Sequence, residues 1–245
     1  MLKKALWLIY QPYKWIILAP GLVLSTLFFG GLAVLLLFVV NPRITSLLCG
    51  VTWSRVIAYL TPMIVKVTGR EHIDKKQSYV IVSNHQSHYD IFLLYGWLGV
   101  DFRWVMKQEL RNVPALGIAC ERIGHIFIDR SNTDSAITSL NAAKKKIVNG
   151  TSILFFPEGT RSKDGRLRDF KKGAFKIAID LGLPILPITI NGTRKIMPSK
   201  TLNVLPGRVW MHIHKHMETK GYGEENISEL MALIKEAIES GLKAG

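Results

Sequence analysis

Two short stretches carry residue types able to move a proton and to grip an anion. The first is Asn84-His85-Gln86-Ser87-His88-Tyr89-Asp90, lying between the apolar runs Tyr79 to Ser83 and Ile91 to Leu98. The first run reads as a buried strand and the second as a helix, which puts His85 and Asp90 at the carboxyl end of a strand, where α/β proteins place their sites. An imidazole held in one tautomer by a carboxylate is a general base. On a single helix, residues five apart point about 140° away from each other. The pair therefore meets only if His85 precedes the helix and Asp90 lies in its first turn. Ser87-x-x-Asp90 fits a capping box that produces this arrangement. The same box supplies the plainer alternative, in which Asp90 only caps and His85 is a loop histidine.

The second stretch, Phe156-Pro157-Glu158-Gly159-Thr160-Arg161-Ser162, follows the run Ser152 to Phe156 in the same topological position. Its glycine, hydroxyl and guanidinium suit an anion held by backbone and side chain, with Glu158 the one carboxylate among them. Read alone, it is also compatible with a turn carrying a surface arginine. Lys107 and Arg130 sit near other strand ends, and seven basic residues between Arg161 and Lys176 meet only Asp164 and Asp169. A phosphate-bearing partner follows from that excess. Nucleic acid is disfavoured, because only Phe170 and Phe175 interleave the cations and no recognition motif accompanies them. His212, His214 and His216 alternate on an expected strand and imitate a metal site. Without a cysteine and with Lys215 and Lys220 flanking, they read as a polar strand face, and no metal is expected.

These residues need a scaffold, and the pattern after Gly69 supplies one. Short apolar runs at 79–83, 102–106, 125–129, 152–156, 184–190 and 209–217 alternate with helical stretches at 91–98, 115–122, 133–149, 173–181 and 229–242. That alternation is the signature of an α/β domain. Cys49 and Cys120 fall in no metal-ligand or redox spacing, as in a reducing compartment.

Before Gly69 the composition changes. The 245-residue chain has 32 Lys+Arg against 18 Asp+Glu and 48% hydrophobic residues, which excludes a disordered basic tail and an ordinary soluble enzyme. Residues 1–70 hold Lys3, Lys4, Lys14, Arg43, Arg55, Lys66 and Arg70 and no acid at all. Residues 15–42 carry no charge, against the roughly 20 apolar residues that cross a bilayer. A signal peptide is excluded by the length of the apolar run and the lack of a small-residue cleavage site. Trp7, Tyr10, Tyr13 and Trp15 beside the lysines form an aromatic and basic belt, suited to an anionic bilayer surface. Pro20-Gly21 and Gly30-Gly31 interrupt the run, and Ile44 to Val67 reads as a second, interfacial helix. Two arrangements are open: a single span, or a pair of helices dipping into one leaflet. The expected division is a membrane-anchoring segment, 1–68, and a catalytic domain, 69–245.

Taken in order, NHQSHYD at 84–90, GHIFIDR at 124–130, FPEGTRS at 156–162 and LPILPITI at 183–190 resemble the four sequence blocks of the glycerolipid acyltransferases, and FKKGAFKIA at 170–178 is also similar. The nearest resemblance is to the bacterial 1-acylglycerol-3-phosphate acyltransferases. It implies a mixed sheet flanked by helices, and acyl transfer from a thioester to the 2-hydroxyl of lysophosphatidic acid, giving phosphatidic acid. It further implies His85 as general base with Asp90 orienting it, and Arg130 and Arg161 as phosphate ligands with Lys107 beside them. Glu158, Gly159 and Thr160 become the floor of the substrate site, with a backbone N–H near Gly159 as oxyanion donor. No bound cofactor is implied. The co-substrate is acyl carrier protein or coenzyme A carrying the acyl group, and the seat is the cytoplasmic face of a bacterial inner membrane. Alternatives with the same site are acylation of glycerol 3-phosphate or of a lyso-lipid such as a lyso-ornithine lipid. A different class of reading is a basic membrane-surface binding protein without catalysis.

Overall fold

The computed structural model describes residues 2–129, 138, 139, 141, 142, 147 and 150–243. The chain opens on one long helical rod: α1 (Leu2–Tyr13), a π-helical turn (Lys14–Leu18) and α2 (Ala19–Leu36). Pro20 lies inside this rod just after the π-helical turn, and the helix runs on through it. After a turn, Asn41 caps α3 (Pro42–Thr45) by accepting from the Ile44 N–H at 3.0 Å. A second π-helical turn (Ser46–Val51) and α4 (Thr52–Leu60) return alongside α2, and Trp53 Nε1 donates to Thr26 Oγ1 across the hairpin at 3.1 Å.

The rest is a sheet of seven described strands, β1 (Met63–Thr68), β2 (Val80–Ser83), β3 (Phe102–Lys107), β4 (Ile126–Ile128), β5 (Ser152–Phe155), β6 (Ile185–Asn191) and β7 (Gly207–Ile213). They lie in the order β1-β7-β6-β2-β5-β3-β4, parallel at every junction except β6 with β7. The helices are α5 (Tyr89–Trp97), α6 (Leu116–Ile123), α7 (Gly173–Leu181), α8 (Thr193–Ile196) and α9 (Ile227–Ser240). The central strands β2, β5 and β6 are buried throughout, as parallel strands covered on both faces must be. Alternation then sorts them: Ile81 and Leu154 join the core under α4 and α5, whereas Val80, Val82, Ile153 and Phe155 join the core under α7 and α9. The α/β class and the mixed, helix-flanked sheet are as the sequence implied.

One expectation is corrected. The segment read as an interfacial helix from Ile44 to Val67 ends as a helix at Leu60, and Met63 to Thr68 form β1, paired residue for residue with Gly207 to His212 of β7. The sheet domain therefore begins at Met63 rather than at 69. A strand at the sheet edge with a half-exposed face mixes apolar and polar positions, and beside a long apolar segment it reads as its continuation. The helix expected at 133–149 falls largely outside the described residues.

Candidate active site

The site sits where β2 and β5 end. β2 hands over to Asn84, whose buried amide donates to Ile190 O (2.9 Å) and accepts from Ile190 N (2.7 Å), so the loop leaves the sheet tied to β6. Ser87 lies two residues ahead of α5. Its hydroxyl accepts from Tyr89 N at 3.2 Å and donates to Met197 O at 2.7 Å. Asp90, in the first turn and fully buried, turns one carboxylate oxygen back onto three donors: Ser87 N at 2.9 Å, Gln86 N at 2.6 Å and His85 Nδ1 at 2.8 Å. One carboxylate oxygen thus gathers the N–H groups of the incoming loop and orients the imidazole, while the N-cap position itself falls to His88. An ionised Asp90 only accepts, so Nδ1 carries the proton and the Nε2 lone pair is left facing outward. No described residue hydrogen-bonds Nε2.

The loop after β5 fixes the other side. Phe156 stacks on the His85 ring with centroids 3.9 Å apart and planes 10° from parallel. Glu158 is buried, and its two oxygens accept from His85 N at 2.8 Å and Arg168 N at 3.1 Å. Ser162 N donates to His85 O at 2.8 Å. Burial pushes the Glu158 carboxyl up to about 7, against the pull of those two N–H donors. His88, at the rim, is held below the ordinary imidazole range by desolvation first and then by the Arg161 guanidinium.

A cavity of about 570 Å³ opens at this point, a size suited to a small-molecule ligand. His85, His88, Gly159, Thr160, Arg161 and Lys107 line its polar end. The remainder is apolar and bounded by α2, the second π-helical turn and α6, through Phe29, Gly30, Ala33, Gly50, Ala119 and Ile123. Seven of the eight expected site residues are described, and they gather here. Lys107 is also paired with Glu109, so its ammonium is engaged at the rim. Glu158 does not line the cavity; its carboxylate lies behind the wall, spent on backbone. Arg130 lies outside the described residues. Gly159 has φ +71, a left-handed turn that glycine tolerates without strain, and its N–H is already given to Phe156 O at 3.0 Å.

Sequence reasoning missed Phe156, His88 and His125. His125 is buried in the cavity wall and held neutral, its pKa lowered to about 3 by burial and then by Arg103. Its Nδ1 accepts from Trp104 N at 3.2 Å, a structural use that its place in the GHIFIDR block did not reveal. His212 and His214 bond Thr68 and Thr189 hydroxyls at 2.8 Å each.

The model of the acyltransferase family matches residues 64–191, the span that carries His85, Asp90, Lys107 and Glu158 to Arg161. The chain belongs to that family. It is 44% identical over 137 residues to the chloroplastic 1-acyl-sn-glycerol-3-phosphate acyltransferase BAT2 of Brassica napus, covering 56% of this chain and 40% of that one. To the human 1-acyl-sn-glycerol-3-phosphate acyltransferase alpha it is 31% identical over 183 residues, 74% of this chain and 65% of that one. The chain thus spans less than two thirds of the curated relatives it matches. The crystal structure of the 1-acyl-sn-glycerophosphate acyltransferase PlsC from Thermotoga maritima superposes with a TM-score of 0.79 at 28% identity and covers 99% of each chain. The likeness to that structure therefore takes in the N-terminal helices as well as the sheet.

Glu158 makes stability pH-dependent with a definite sign. The folded protein holds its proton more tightly than the unfolded chain, so its contribution is fully present below about pH 4.5 and is lost as pH rises through about 7. Glu158→Gln removes that titration. In detergent-solubilised protein, the stability difference between wild type and Glu158→Gln should shift against wild type by on the order of 2 kcal/mol between pH 4.5 and 8; a pH-independent difference would contradict the raised pKa.

Proposed function

We propose that this chain transfers an acyl group from an acyl thioester to the 2-hydroxyl of 1-acylglycerol 3-phosphate, giving phosphatidic acid. The observation that carries the reading is a single cavity with an oriented imidazole, a guanidinium and a long apolar extension. His85 Nε2 takes the hydroxyl proton as the oxygen attacks the thioester carbonyl, and Asp90 stabilises the imidazolium that forms. Collapse of the tetrahedral intermediate expels the thiolate, and the imidazolium returns the proton to it. The backbone N–H groups of Thr160 and Arg161 are the oxyanion donors we favour, because that of Gly159 is used in its own turn. Arg161, Lys107 and Arg130 take the phosphate of the acceptor. The apolar part of the cavity takes an acyl chain, which needs no polar partner along its length. The donor is acyl carrier protein or coenzyme A bearing the acyl group.

The catalytic domain works against a lipid surface in this reading. Residues 8–36 form one helix long and apolar enough to cross a membrane. Yet Tyr13 donates to Leu60 O at 2.8 Å, Lys14 Nζ to Leu202 O at 3.1 Å, and Ala33 packs with Ala119 and Ile123 of α6. The contacts of Lys14 and Ala33 with the sheet domain lie nineteen residues apart, along about 30 Å of rod. A helix held flush at both places cannot stand perpendicular to the bilayer with the domain on one side. We therefore favour insertion into one leaflet, with Ile9, Ile16, Phe28 and Phe38 turned to lipid.

His85→Ala should abolish acyl transfer, by at least about 10³-fold, while leaving binding to anionic vesicles unchanged; retained turnover would remove His85 as the base. Arg161→Ala should raise the KM for the lysophosphatidic acid acceptor roughly ten- to hundredfold with little change for the donor, and an equal loss for both would sink the phosphate assignment. Single cysteines introduced as Lys4→Cys and Asn41→Cys should react with a membrane-impermeant maleimide from the same face of sealed vesicles. Labelling from opposite faces would establish a span.

A further inference from the structure

The His85–Phe156 contact stands apart from every other aromatic pair in the site. Around it, Phe156 with Trp104, Trp104 with Phe102, and Tyr95 with both Phe102 and Trp104 meet tilted or edge-on at 5.0–6.1 Å. Neutral rings prefer edge-on or offset-parallel geometries, with centroids about 4.5–7 Å apart, because their quadrupoles repel in a full face-to-face sandwich. His85 and Phe156 instead lie parallel at 3.9 Å. A close parallel stack is favourable when one ring carries positive charge, since the aromatic face is negative.

Three neighbours fix the contact. Phe156 leaves β5 directly, packs against Trp104 on its far side, and is followed by Glu158, which holds the His85 N–H. One face of the imidazole is covered by Phe156, the Nδ1 edge is held by Asp90, and the ring lines the cavity with its Nε2 unpaired.

We propose that Phe156 is the positioning residue of the general base: its ring locks the tilt of the His85 imidazole and stabilises the imidazolium formed when Nε2 takes the acceptor proton. This rests on the proposed acyl-transfer reading, in which His85 is the base. The charged and titratable groups facing His85 are Asp90 of α5, His88 of its own loop, Glu158 and Arg161 of the loop after β5, and Lys107 across the cavity. A change at Phe156 leaves all of them in place. Removing the π face makes protonation of His85 harder, so its apparent pKa falls and it becomes a weaker base.

Phe156→Leu keeps an apolar side chain of similar size and deletes the aromatic face; Phe156→Tyr keeps the face. In Phe156→Leu, kcat should fall roughly tenfold with the acceptor KM unchanged. The acid limb of the kcat/KM profile should move to lower pH by about half a unit to one unit. Phe156→Tyr should restore both. Independently of turnover, the imidazole NMR resonances of His85 in detergent-solubilised protein should titrate at lower pH in Phe156→Leu than in wild type or Phe156→Tyr. An unmoved His85 titration, or equal losses in the Leu and Tyr variants, would overturn the proposal, as would unchanged kcat in the face of a moved titration. Absence of acyl transfer to lysophosphatidic acid by the wild type would instead strike the reaction assignment, and the NMR comparison would still decide the role of the stack. Should Phe156→Leu fail to fold, Phe156→Met provides the same aliphatic comparison.

Discussion

Both main-chain groups of His85 are held by one neighbouring loop: its N–H by the Glu158 carboxylate and its C=O by the Ser162 N–H. This clamp joins the ends of β2 and β5, and the geometry of the site depends on it. A base on a free loop would sample many orientations; here the backbone that bears it has two fixed partners, and its side chain has a third in Asp90. Because Glu158 also accepts from Arg168, the clamp reaches down the basic stretch that follows, so the segment bearing Arg161 is fixed relative to the imidazole. This carboxylate thus fixes the imidazole and the segment bearing Arg161 relative to one another without itself lining the cavity.

The cost is a buried carboxyl. Two backbone donors offset part of the desolvation and burial still prevails, which is why its titration moves toward neutrality. A carboxyl presents an oxygen to each of the two N–H donors, whereas a glutamine would turn its NH2 toward one of them. The two donors, and not any charge on a ligand, call for the carboxyl group there.

How much of this was legible in the sequence depends on the range of the interaction. Ser87-x-x-Asp90 encodes a local hydrogen-bond pattern, so the place of Asp90 in the first turn of α5 and its meeting with His85 followed from spacing, although the N-cap fell to His88 rather than Ser87. The alternatives weighed there, a cap or an orienter, turn out to be compatible, because one oxygen serves both. Buried runs such as Val80 to Ser83 announced the central strands for the same reason. Glu158 was misjudged because a carboxylate aimed at a substrate and one aimed at backbone look identical in a motif. β1 was misread because its partner, β7, lies far along the chain. The apolar cavity was invisible, since it is enclosed by Gly30, Ala33 and Gly50 only after the helical hairpin folds onto α6.

The charge arithmetic of the first 70 residues takes on a different meaning once those cations are located. Arg55 Nε donates to Gly96 O at 2.9 Å, and Arg70 donates to Trp97 O at 2.6 Å and Leu98 O at 3.5 Å. Together they cover the carboxyl-terminal carbonyls of α5, where positive charge complements the helix dipole. Lys14 is buried and spends its ammonium on Leu202 O. Two of the cations, Arg55 and Lys14, thus fasten the N-terminal helices to the helix that carries Asp90 and to the loop whose Met197 carbonyl receives the Ser87 hydroxyl, while Arg70 braces the same helix end from the sheet domain. Carbonyls rather than carboxylates are their counterparts, which is why no acid accompanies them. The same positive charge that suggests a lipid surface serves first to hold the helix that carries Asp90 against the N-terminal helices, and so ties the placement of those helices to that of the His85 imidazole.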